Sequence, residues 1–284
     1  MRYLHCFHFL SLLLTGSCFN GLEMCCVRRP SDHSGTGSAW RNMKTTFIIL
    51  AFLSTTLNHT HGNPLITLPD SNLFVQLDVA PRWIWRGVAY SQGPVIQPSL
   101  GYAGKKITAI IWGSYSILNG EYHELDFTLE YKPVEQINIG FTDYFGINDS
   151  TKLNQRFFNL KNSSTSHVFD FYARVCPFKN LPLSFYISNW FYGADKDPKT
   201  RKQYFSTYME ARYEKQYHDI GLYTFVGATP YKSFYFRQAG IVNLGLGLTK
   251  TYQIGKKLTL PLKVEFILNP SSQNVYVNAV VGIR

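Results

Sequence analysis

Side chains that alternate between apolar and ionisable at every second residue constrain this chain more than any other feature. In Leu73–Arg86 one face reads Leu73, Val75, Leu77, Val79, Pro81, Trp83 and Trp85, while the other includes Gln76, Asp78, Arg82 and Arg86. In Glu121–Lys132 one face is His123, Leu125, Phe127, Leu129 and Tyr131, and the other is Tyr122, Glu124, Asp126, Thr128, Glu130 and Lys132. Successive side chains of a strand point to opposite faces, so each segment has an apolar side and an ionisable side. A helix would mix the two classes around its circumference. These segments are strands.

Less regular runs of the same kind follow at Val95–Tyr102, Ile107–Ile117, Ile137–Phe145, His167–Val175, Leu183–Tyr192, Tyr204–Glu214, Ile220–Thr229, Gly240–Lys250, Leu258–Ile267 and Val275–Arg284. The set comes to about twelve strands, each near the ~9–11 residues that a tilted strand needs to cross a bilayer. No apolar run approaches the roughly 18 residues of a spanning helix. The sequence therefore predicts an all-β fold: a closed antiparallel up-and-down transmembrane β-barrel over residues 73–284, read as one domain.

The connections support this reading. Tight turns such as Ala103-Gly104-Lys105-Lys106 and Gln253-Ile254-Gly255 fall at one end of the strands. Longer links, Gly87–Gly93, Gly146–Ser166, Gly193–Gln203 and Pro230–Gln238, fall mostly at the other. Outer-membrane barrels have this asymmetry, with the longer loops outside the cell. The aromatic content is high, with 19 Tyr and 21 Phe. Trp83, Trp85, Trp190 and Tyr192 sit at the loop ends of their strands, where an aromatic belt at the membrane boundary is expected.

Ahead of the barrel, Met43-Lys44 precedes the apolar run Phe47–Leu53 and the small or polar residues that end at Gly62. This is the layout of a secretory signal. It predicts an N-terminal extension plus signal peptide over 1–62, with Met43 as a candidate start, and a short periplasmic segment over 63–72. Cleavage would remove four of the five cysteines, Cys6, Cys18, Cys25 and Cys26, and leave Cys176. One cysteine forms no disulfide within the chain and builds no cysteine metal site.

Several segments together resemble the TorF-like porin family of Gram-negative outer-membrane barrels. They are Arg82-Trp83-Ile84-Trp85-Arg86-Gly87, SQGPVIQPSLGY (91–102), AIIWGSYS (109–116), EYHELDFTLEY (121–131), FTDYFG (141–146), FYGAD (191–195), FSTYMEARY (205–213) and GIVNLGLGLTK (240–250). The resemblance implies an outer-membrane barrel acting as a channel, with no assigned solute, catalytic residue or cofactor. One departure is the ending in Ile283-Arg284, where such barrels usually finish on an aromatic that the barrel-assembly machinery reads.

If the apolar faces meet lipid, the opposite faces line a lumen. The expected lining is Asp78, Arg82, Arg86, Glu124, Asp126, Glu130, Asp170, Arg174, Glu210, Arg212, Lys263 and Glu265, joined by Lys132 and Glu214. Arg82 and Arg86 facing Glu124 and Asp126 would set up a transverse field, and charged rings of this kind let pores discriminate among solutes. The same residues could equally stiffen a nearly closed barrel. The expected partners are small polar solutes, outer-membrane lipids or lipopolysaccharide, and the barrel-assembly machinery. The 28 basic against 18 acidic residues are scattered along the chain, which does not suit nucleic acid.

Enzyme signals are sparse. His123, His167 and His218 are read on separate strands, no HExxH or paired-cysteine spacing occurs, and Gly113-Ser114-Tyr115 lacks the second glycine of a nucleophile elbow. No catalytic residue, metal or cofactor is expected. The leading function is passive diffusion through a charge-lined lumen. A non-conducting structural or adhesion barrel is the alternative, and a barrel lipid hydrolase using His123 comes last.

Overall fold

A computed structural model describes residues 72–118, 122–148, 156–255 and 258–284. The signal, the candidate start at Met43 and nearly all of the 63–72 segment lie outside these residues. The described chain is all β. Its strands are β1 (Leu73–Ala80), β2 (Ile84–Trp85), β3 (Val88–Ala89), β4 (Val95–Ala103), β5 (Ile107–Ser116), β6 (Tyr122–Val134) and β7 (Ile137–Asn148), followed by β8 (His167–Val175), β9 (Leu183–Gly193), β10 (Thr207–Tyr217), β11 (Ile220–Thr229), β12 (Gly240–Ile254), β13 (Leu258–Asn269) and β14 (Asn274–Ile283). Twelve of these close into one antiparallel barrel in which each strand pairs with its neighbours in the chain, and β1 meets β14. The remaining two, β2 and β3, form a separate small hairpin.

Burial follows the alternation and places the ionisable side inward. In β1, Phe74, Gln76, Asp78 and Ala80 are buried, while Val75 is 50% exposed and Leu73 45%. The same holds on β6, where Glu124, Asp126 and Glu130 are buried and Leu129 is 54% exposed. The molecule therefore wears its apolar side chains outside and holds its charges within.

Part of the interior is built from rows that cross three strands. Glu130 on β6 pairs with Gly140 on β7, which pairs with Tyr172 on β8. The Tyr172 ring lies across the glycine and its hydroxyl donates to Glu130 Oε1 at 2.6 Å. Tyr223, Gly247 and Glu265 repeat the arrangement on β11, β12 and β13, with Tyr223 OH donating to Glu265 Oε1 at 2.7 Å. A Cβ on Gly140 would come within 2.2 Å of its tyrosine ring, and one on Gly247 within 2.1 Å. Only glycine lets the ring lie flat against the wall.

The strand boundaries depart from expectation in two informative places. The run expected over Tyr204–Glu214 begins at Thr207, because the preceding residues are bound elsewhere: Tyr204 N–H donates to the Asp195 carbonyl and Ser206 N–H to the Asp195 carboxylate. The run expected over Leu73–Arg86 stops at Ala80. Pro81 follows, and it has no N–H to continue a ladder. The chain then leaves the wall.

Candidate functional site: a hairpin folded into the barrel interior

From Pro81 the chain turns inward and returns at β4. Trp83 N–H donates to Ser91 Oγ at 2.8 Å, Tyr90 N–H to the Trp83 carbonyl at 2.9 Å, and Ser91 Oγ to the Gly93 carbonyl at 2.9 Å. Above this base, β2 and β3 pair as Ile84↔Ala89 and Trp85↔Val88. The two residues between them, Arg86 (φ 49°) and Gly87 (φ 75°), are both left-handed. That is the two-residue type I′ pattern, whose twist matches antiparallel strands. Gly87 suits its φ, whereas Arg86 adopts one that a residue with a Cβ rarely takes, at a cost of order 1–3 kcal/mol.

The surroundings of the tip explain why it stays there. Gly87 is pressed so close to β12 that a Cβ would sit 1.9 Å from the Val242 carbonyl oxygen, and Asn269 on β13 donates to the Gly87 carbonyl at 3.0 Å. Across the lumen, the buried Arg86 guanidinium lies 3.6 Å from Asp170 Oδ2 on β8. It donates to Tyr186 OH on β9 at 2.7 Å and to Tyr235 OH, which the β11–β12 loop carries inside. Its Cζ stands 4.2 Å from the Trp85 ring centroid and 4.6 Å from that of Tyr208. Asp170 accepts a further bond from Tyr144 OH at 3.1 Å. A guanidinium boxed by rings and paired with one carboxylate is a satisfied buried cation. The hairpin, rooted at β1 and β4, is thus fastened to strands on the far side of the barrel.

The expected lining residues fall into separate groups. Arg212 on β10 contacts Glu214 at 2.9 Å and Glu210 at 4.0 Å, with its Cζ 4.3 Å from the Tyr223 ring centroid. Lys263 and Glu265 pair at 2.7 Å on β13. Asp78 pairs with Arg284, whose backbone exchanges both hydrogen bonds with Thr259. Glu124 accepts from Tyr122 OH at 2.5 Å, and Arg174 stands over the Tyr186 ring. Asp126 is buried on the inner face of β6, two residues from Glu124. Beneath the hairpin a cavity of about 50 Å³ is bounded by Arg86, Tyr208, Glu210, Arg212, Asn243 and Glu265.

Three expectations need correcting. Arg82 lies beyond the end of β1 and reaches the Gln92 carbonyl at 3.4 Å, so it belongs to the hairpin base and not to the wall. Arg86 pairs with Asp170, not with Glu124 and Asp126, because the inward turn carries it to the far side of the lumen. Trp83, Trp85 and Trp190 do not form an outer belt. Trp83 packs inside against Ala80, Val95, Trp112 and Val280, while Trp85 stacks on Trp190 at 6.0 Å within the Tyr144–Tyr235 cluster. The side-chain parity that put Trp83 and Trp85 outside holds only while the strand continues, and it stops at Pro81. Trp190 takes the inward parity of Tyr186 and Ser188 on β9. Tyr192 lies on the outer face, stacked on Phe169 at 5.5 Å past a bulge between Phe169 and Asp170.

This arrangement can bind and orient charged groups. His123 Nδ1 accepts from Ser116 N–H at 3.2 Å on the outer face. Among the described residues no cluster of His, Cys, Asp or Glu is arranged to hold a metal ion.

Solved structures that superpose on this chain include the KdgM porin, at 7% identity over 74% of this chain and 96% of that one with a TM-score of 0.42. The NanC porin matches at 9% identity over 74% and 98%, TM-score 0.44. OprD of Pseudomonas aeruginosa matches at 12% identity over 75% and 65%, TM-score 0.31. No protein-family model and no curated protein matches the sequence.

Proposed function

We propose that the chain spans a bacterial outer membrane as a porin-like channel that passes small polar or charged solutes through a charge-lined lumen, which the inward hairpin crosses and narrows. The observation that carries this reading is the inversion of the barrel: exposed Leu, Val, Ile and Phe outside, buried Asp, Glu, Arg and Lys inside. An apolar surface of that extent is stable against hydrocarbon and not against water. A closed ladder is what a strand-built protein needs to cross a bilayer. Buried polar atoms of Gln76, Ser99 and Asn278 have no hydrogen-bond partner among the described residues, a pattern that suits a hydrated interior. The resemblance to TorF-like porins agrees with this reading, and export by the expected N-terminal signal and insertion by the barrel-assembly machinery are part of the same proposal.

Planar-bilayer recording tests it. The wild-type chain should give small stepwise conductances, and replacing Arg82–Gln92 with a two-residue turn should raise them several-fold. A second reading, a non-conducting structural or adhesion barrel, is favoured by the hairpin that crosses the lumen and by the internal pairing of charges. Silence from both the wild-type and the shortened chain would support that reading and overturn the channel.

A further inference from the structure

The outer face of β6–β9 carries a feature that a diffusion channel does not require. Residues 156–166, ahead of β8, are laid back over the outside of the wall. Phe157 packs on three outward rings, Phe127 at 5.7 Å, Phe145 at 5.2 Å and His167 at 5.1 Å. Its carbonyl meets His167 Nε2 at 2.6 Å, while His167 Nδ1 meets Asp143 at 2.7 Å. Tyr192 OH donates to the Leu160 carbonyl at 2.7 Å, and Gly193 N–H to Asn162 Oδ1 at 3.3 Å. Fastened in this way, the strap holds Phe158 out at 93% exposure, with Leu160 beside it at 53%.

Between the strap and the β9–β10 loop lies a cavity of about 1090 Å³, bounded by Arg156, Phe158, Asn159, Ser164, Lys196 and Arg201 among others. Its three cations have no ion pair among the described residues. The two carboxylates of the β9–β10 loop are already engaged. Asp195 accepts from Ser206 Oγ at 2.6 Å, and Asp197 pairs with Lys232 at 2.5 Å. The Lys196 ammonium is held below its ordinary range by burial and by the nearby Arg201 guanidinium. Converging like charges beside an outward aromatic ring suit one ligand chemistry, an anionic head carried on an apolar tail.

We propose that this cavity binds the phosphate of a membrane amphiphile whose acyl chains lie along Phe158, Leu160 and the outer wall. The proposal rests on the membrane-spanning reading above and names the lipid chemistry that one part of the wall selects.

The experiment uses the full chain refolded in neutral detergent, with native mass spectrometry as readout and phosphatidic acid, diacylglycerol of the same chains and inorganic phosphate as probes. Phosphatidic acid should bind about tenfold or more tightly than diacylglycerol, the scale of one or more charge-assisted hydrogen bonds. The triple variant R156A/K196A/R201A should lose that preference. Phe158→Ser should weaken both lipids and keep the preference. Inorganic phosphate should not displace the lipid at equal concentration. Equal binding of the two lipids, an unchanged preference in the triple variant, or displacement by inorganic phosphate would each overturn the site. Heat-modifiable migration of each variant on gels confirms that the barrel has folded. Failure of the membrane-spanning reading is read separately, as wild-type chain that refolds but does not insert into liposomes.

Discussion

Two segments leave the same long-loop rim in opposite directions. Residues 81–94 fold into the lumen, and residues 156–166 fold onto the outer wall. Both are rich in rings, but the rings differ in kind. The inner segment meets Tyr144, Tyr186, Tyr208 and Tyr235, whose hydroxyls satisfy Arg86, Asp170 and Glu210. The outer segment meets Phe127 and Phe145, which have no polar atom to satisfy. The ionisable pair His167–Asp143 beneath it is used to hold down a backbone carbonyl. The difference teaches that the direction of a loop is decided by its polar atoms. Arg86 needs a carboxylate and several hydroxyls together, which Asp170, Tyr186 and Tyr235 supply inside the barrel, whereas the Phe157 ring packs on apolar surface.

The sharpest way to break the comparison is to remove the charge that holds the inner segment. Arg86→Ala leaves Asp170 buried without its cation, and losing one partner of a buried pair costs about 3–5 kcal/mol. Urea unfolding of the barrel in vesicles should register a loss of that size. The double change Arg86→Ala/Asp170→Asn should recover much of it, because no unpaired charge then remains. A fall in stability below 1 kcal/mol in the single variant would show that the hairpin is held by its rings alone.

Next in size is the contrast between rings lying across the inner wall and rings resting on its outside. Gly140→Ala drives a methyl into the Tyr172 ring and should cost about 1–3 kcal/mol, the usual penalty for overpacking. Tyr192→Phe removes one bond to the strap and should cost about 0.5–1.5 kcal/mol, the net worth of a single hydrogen bond. That loss should appear as local opening of residues 157–162 in hydrogen exchange, not as global unfolding. Global destabilisation by Tyr192→Phe would mean that the strap is part of the barrel's cooperative core.

Much of this fold was legible in the sequence because a strand writes its environment at every second residue. Asp78, Glu130, Arg212 and Lys263 are buried on the inner face as the alternation places them. What the alternation could not give is where a chain stops being wall. Pro81 was the available signal, since it cannot donate to the ladder between β1 and β4, and Arg86-Gly87 sits where a two-residue turn would be. Arginine is not a residue that announces a left-handed φ, because its stability there comes from Asp170, 84 positions away in the chain. The outer strap was hidden for a similar reason. Phe157, Asp143 and His167 read separately as loop, strand and strand, and only the antiparallel return of β7 and β8 makes them neighbours.

The smallest expected effect concerns the β9–β10 loop, which forms one side of the outer cavity. Lys232 and the backbone N–H groups of Thr200 and Lys199 hold the Asp197 carboxyl well below the usual carboxylate range. Asp197 also raises the Lys232 ammonium. A depressed acid contributes stability above its unfolded value of about 3.9 and loses it as pH falls toward the folded value. The raised lysine contributes below about 10.4 and loses it above. Asp195 works in the opposite sense, since burial pushes its carboxyl up and mild acidification relieves that cost. A nitroxide at Lys199→Cys, in a background without the other cysteines, should therefore show constant or slightly lower mobility as pH falls from 7 to about 5, then a rise below about 4. Asp197→Asn should remove the rise and leave the label equally mobile on both sides of it. A label that loosens steadily from pH 7 downward would mean that this loop is not tethered through Asp197, and that the cavity's rim is set by the strap alone.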